Sequence, residues 1–164
     1  MSTAVSLPQL AIGEEVPASP RRALYSAGAP ADSFADSQRY YENLYGPTRY
    51  DANTRALTVR AHAFRALMVT RDLADVASEA LHGQTLPIFA VRHGIRVLMT
   101  APPTAADDIV RFFPRGVTIV GRGAELALPT PGNPTRWWLA AFPEGAELPP
   151  YREVVEAVLG ACSG

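Results

Sequence analysis

The chain has 164 residues, 48% of them apolar, and a net charge of −1. That is about one domain's length with enough apolar material for a real core, and the near-zero charge excludes a protein that coats nucleic acid by charge alone. All 15 basic residues are Arg, as GC-rich coding tends to produce, and six of them fall between Arg92 and Arg136 with only Asp107, Asp108 and Glu125 as acids, so a local basic surface is expected.

The lone cysteine, Cys162, excludes an intrachain disulfide and a cysteine metal cluster. No run approaches the roughly 18 residues of a membrane span, and the N-terminus lacks the basic and apolar regions of a signal peptide. The expectation is a cytoplasmic protein with no membrane partner.

Residues 1 to about 30 mix Pro, Ser, Ala and Gly without a sustained period, which predicts a disordered or loosely packed tail; 31–164 then form a single α+β domain. From Asp32 to Leu44 the spacing of Phe34, Tyr41 and Leu44 predicts a helix, with Asp32 or Ser33 as N-cap and Gly46 just past its end. Its tyrosines Tyr40, Tyr41 and Tyr45 read as a stacking platform or protein-partner surface, or as the amphipathic edge of a helix on a core, the commoner use. Ala56 to Thr70 fits both periods; a buried strand ending at Thr70 is preferred because Arg71 to His82 is a clear helix, with Leu73, Val76, Ala77, Ala80 and Leu81 on one face and Gly83 beyond.

Leu86 to Val91 and Ile95 to Thr100 predict a strand pair around Arg92-His93-Gly94. Thr104, with Asp107 three residues on, resembles a capping box for a short helix that Pro114 stops. Val117 to Val120 and Ala124 to Leu128 predict a hairpin around Gly121-Arg122-Gly123; a Pro/Gly/Asn loop and a strand opening on Arg136-Trp137-Trp138 follow. Pro149-Pro150 leads into a helix from Tyr151 to Ala161. The class is α+β, with one mainly antiparallel sheet and flanking helices.

Complete catalytic motifs are missing. His62, His82 and His93 have no metal-ligand spacing, no GxSxG is present, and Asp107-Asp108 is adequately explained as acids in a helix's first turn. Gly121-Arg122-Gly123 fails the dinucleotide glycine pattern because residue 126 is Leu. Nothing calls for a cofactor.

The combination of LPIFAVRHGIRVLMTAPP with GVTIVGRGAELALPTPGNPTRWWL, after a strand and a helix, resembles the bifunctional primase–polymerase domain of replication proteins from plasmids, phages and integrated elements. The resemblance covers roughly residues 60–140. Pro87 stands at the family's hairpin proline, Gly94 at its turn glycine, Gly116-Val117 and Gly121 to Gly123 at its later glycines, Leu128-Pro129-Thr130 at its proline element and Arg136-Trp137-Trp138 at its aromatic close.

The departures fall on the chemistry. Where the family carries DxD this chain has Thr70-Arg71-Asp72, leaving Asp72 as the remnant metal-site position; Arg96 replaces the family's histidine and Thr118 its later aspartate. The resemblance therefore implies a kept fold, a dismantled two-metal site and lost nucleotidyl transfer. It leaves a nucleic-acid- or nucleotide-binding accessory in replication, mobile-element or regulatory biology. Arg92, Arg96, Arg122 and Arg136 would line the former cleft and Trp137 would stack, with Trp138 in the core beside Leu126 and Leu128. The competing readings are a protein-interaction module using the tyrosine helix and the 129–135 loop, and an active metal-dependent enzyme built on Asp72.

Overall fold

Alternation along a single strand sets out the layers. In β3 (Arg65–Thr70), Ala66 and Met68 pack into one apolar cluster while Leu67 and Val69 pack into another, so both faces of the strand are buried. The computed structural model describes residues 33–105, 114, 116–141 and 147–164. The expected tail and the expected short helix with Asp107-Asp108 lie outside these.

The described elements begin with α1 (Phe34–Tyr45), β1 (Thr48–Asp51) and β2 (Ala56–Arg60), and β3 leads directly into α2 (Arg71–Ala80). They continue with β4 (Ile88–Val91), β5 (Ile95–Thr100), β6 (Thr118–Val120), β7 (Glu125–Ala127), β8 (Arg136–Ala140) and α3 (Tyr151–Cys162). The α+β class holds, and every strand pairing is antiparallel. The strands form two sheets, however: a five-stranded one ordered β6-β3-β5-β4-β8 and a three-stranded one ordered β1-β2-β7.

On one face of the larger sheet, Leu67, Val69, Ile88 and Leu98 meet Ala74 and Ala77 of α2 and Val154, Val155 and Val158 of α3. On the other face, Ala66, Phe89, Val97 and Met99 meet Leu57, Val59 and Leu126 of the smaller sheet, and Tyr41 and Tyr45 of α1. The order is thus helix pair, large sheet, small sheet with α1.

Three expectations are corrected. Ala56 to Thr70 is two strands in different sheets, because Ala61 to Phe64 turns the chain; Arg65 closes that turn, its Nη1 donating to the carbonyls of Ala61 at 2.9 Å and Phe64 at 2.7 Å. The expected hairpin around Gly121 to Gly123 is also a crossover, since β6 pairs with β3 and β7 pairs with β2. Gly123, at φ +78, makes that turn possible while its N–H donates to Ala61 O at 3.0 Å. The third concerns the tyrosine helix as a partner surface: Tyr41 and Tyr45 are 0% and 2% exposed, because α1 turns them onto the core.

Residues 129–135 are likewise a brace between the sheets. Leu57 N–H donates to Thr130 Oγ1 at 2.8 Å, Asn133 Nδ2 donates to Thr54 O at 2.9 Å, and Arg92 N–H donates to Thr135 O at 2.9 Å. Thr130 and Asn133 are buried in consequence.

Candidate nucleic-acid interface

The β4–β5 hairpin positions most of the proposed contacts. Three residues, Arg92 to Gly94, join the paired Val91 and Ile95, and the last two, His93 and Gly94, take left-handed φ of +71 and +79 to reverse the chain. Gly94 O then accepts from Arg71 N–H at 2.8 Å, so α2 starts on the hairpin turn.

Register decides which side chains share a face. Val69 pairs with Arg96, Arg96 with Ala90 and Ala90 with Trp137, forming one transverse row across β3, β5, β4 and β8. Directly paired residues point the same way, and Val69 faces the helices, so Arg96 and Trp137 lie on the helix side with the small Ala90 between them. Their backbones are about 10 Å apart, two strand spacings.

Trp137 is 45% exposed, whereas Trp138 packs against Phe89 with ring centroids 5.3 Å apart. The expected division of the tryptophans between surface and core is therefore observed, with Trp138 in one cluster with Leu126 and Leu128. Tyr41 completes that contact. Its hydroxyl accepts from Trp138 Nε1 at 2.8 Å and donates to the carbonyl of Pro129.

Arg96 lies half-buried by the first turn of α2. Burial chiefly, and Arg71 next, push its pKa down, while Asp75 opposes them. Its Nη1 donates to Ile95 O at 3.1 Å. Arg71, close enough to Arg96 to act on it and 3.9 Å from Asp75 on the same helix, is a cation that spacing alone did not single out. The signal was available in Arg71 following directly on the strand whose partner carries Arg96.

The remaining candidates separate. Arg136 pairs with Val91, one row away, and so faces the opposite side of the sheet, where burial lowers its pKa. Arg92 is exposed in the hairpin turn. Arg122 lies beyond Val120, which pairs with Ala66, at the far end of β3 and about 10 Å or more along the strand from the Arg96 row. There it stands near Arg65, whose pKa is depressed by burial first and by Arg122 second. A single cleft lined by all four arginines is not what the fold builds.

The positions of the family's metal site do not converge either. Thr118 pairs with Met68 and Arg96 with Val69, so adjacent residues of β3 send them to opposite faces; Thr70 shares the face of Thr118. Asp72 is exposed on α2. Among the described residues, no three His, Cys, Asp or Glu side chains are grouped so as to hold a metal ion, and no helix is long and apolar enough to cross a membrane.

The face that survives these tests carries one exposed indole and a guanidinium in its row, with Arg71 and Arg92 at the same end of the sheet. Comparison with known proteins places nothing beside it: no family model, no curated protein and no solved structure matches the chain.

Proposed function

We propose that the protein is a non-catalytic binder of single-stranded nucleic acid or nucleotide, an accessory rather than a polymerase. A base stacks on Trp137, and the adjoining phosphates are held by Arg96 and Arg92. The observation that carries this reading is the shared row and face of Trp137 and Arg96, with an aromatic platform and a cation about one nucleotide's reach apart. The likeness of residues 60–140 to a primase–polymerase domain supports the same reading from the sequence side.

The test is fluorescence anisotropy of a labelled oligothymidylate at several salt concentrations. Binding weakens as salt rises, because phosphate contacts release counterions. Trp137→Ala costs about tenfold or more in affinity, as loss of a stacked base does, and Arg96→Ala lowers both the affinity and the salt slope. Arg122→Ala, at the far end of the sheet, leaves affinity within about twofold, since surface changes away from a site have small effects. Absence of binding at low salt overturns the reading.

A further inference from the structure

A cavity on the opposite side of the molecule has a volume of about 600 Å³, within the ordinary range for small-molecule sites. Pro47, Val59 and Ala63 give it an apolar wall, and Tyr45 forms part of it. Its mouth carries Arg49, Arg60 and Glu125, which register places together: Arg60 pairs with Glu125, and Arg49 is on the neighbouring strand.

The electrostatics of this cavity are unresolved by the fold itself. One carboxylate serves two guanidinium groups: Arg49 Nη2 lies 3.0 Å from each oxygen of Glu125, and Arg60 Nε lies 3.8 Å from Oε1. The mouth therefore keeps an excess positive charge, with Glu125 occupying the position an incoming anion would take. His62 adds an imidazole to the lining.

We propose that this cavity binds a small organic anion, its head group taken by Arg49 and Arg60 in place of Glu125 and its apolar body lying against Pro47, Val59 and Ala63. Head and body are both required. Glu125 is an internal competitor that lowers affinity while offsetting part of the positive charge of the mouth in the free protein.

The experiment is an amide NMR titration of the full chain with phenyl phosphate, with inorganic phosphate and benzyl alcohol as probes of the head and the body alone. Phenyl phosphate gives saturable shifts confined to residues 46–49, 58–63 and 125, and binds about tenfold or more tightly than either partial probe, because the two contributions add. Glu125→Gln tightens phenyl phosphate binding by about threefold to tenfold, and Arg60→Ala weakens it by a similar factor, as charge changes at a partly exposed site do. Equal affinity for inorganic phosphate overturns the proposal, because an exposed cation pair would then account for everything. Unchanged affinity in Glu125→Gln, or shifts scattered over the surface, overturns it as well.

Discussion

Tyr41 and Tyr45 stand one turn apart on α1, both buried, with ring centroids 6.2 Å apart. The same substitution at each has opposite consequences for stability. Tyr41→Phe deletes a hydroxyl that accepts from Trp138 Nε1 at 2.8 Å and donates to Pro129 O, so two polar groups lose their partner in a site that water does not freely enter. A buried group left unpaired costs about 1–3 kcal/mol, and for two of them, one only partly buried, the expected loss is about 2–4 kcal/mol. Tyr45→Phe deletes a hydroxyl that has no partner among the described residues, while the ring keeps its edge contact with Phe64 at 5.5 Å. Removing an unsatisfied buried donor at nearly constant volume gains about 1 kcal/mol.

The assay is urea unfolding followed by tryptophan fluorescence, which reports on Trp138 directly. Both variants keep the wild-type dependence on denaturant, because each buries the same surface, and only the midpoint moves: down for Tyr41→Phe and up for Tyr45→Phe. A fall in midpoint for Tyr45→Phe refutes the reasoning, since it means that the hydroxyl has a partner in the free protein.

The other predictions concern the brace and the first hairpin. Asn133→Ala removes Nδ2 donation to Thr54 O at 2.9 Å and Arg55 O at 3.2 Å, together with Oδ1 acceptance from Thr135 N–H at 2.9 Å, so a loss of about 2–3 kcal/mol is expected in urea unfolding. Asp51 accepts from Asn53 N–H at 3.0 Å and Thr54 Oγ1 at 2.9 Å, and these bonds hold its pKa below the usual 3.8. A carboxylate depressed on folding stabilises above its unfolded pKa and loses that contribution as pH falls through the folded value. The stability difference between wild type and Asp51→Asn is therefore present at pH 6 and shrinks below about pH 4, and a difference that stays constant across that range would refute the assignment.

Local signals in the chain were sufficient for most elements and insufficient for their partners. Ser33 caps α1 as expected, its Oγ accepting from Asp36 N–H at 3.2 Å, and α2 follows the apolar spacing of Leu73, Ala77 and Ala80. Strand β1 was missed because Thr48 to Asp51 is short, carries a single large hydrophobic residue, the half-exposed Tyr50, and forms an outer strand of the smaller sheet. Gly121 to Gly123 looked like a hairpin because glycine supplies the positive φ that a tight turn needs, but a turn that reverses the chain does not oblige the flanking strands to pair. Here Ala61 accepts the Gly123 N–H and its own N–H donates to Ala124 O at 2.9 Å, drawing β7 to β2 and leaving β6 on β3.

The candidate interface shows the same limit more sharply. A site assembled from three strands requires agreement in two respects, which strands are neighbours and which parity each residue has. The first was met: β6, β3 and β5 are adjacent, as a shared cleft would need. The second was not. A strand's period is 2, so one position along β3 separates Met68, opposite Thr118, from Val69, opposite Arg96, and sends the two side chains to opposite faces. Restoring an acid at position 118 and a histidine at 96 would therefore not rebuild a metal site in this fold. The same arithmetic works in the other direction for Arg96 and Trp137, which lie 41 positions apart in sequence and meet on one face only because each pairs with Ala90.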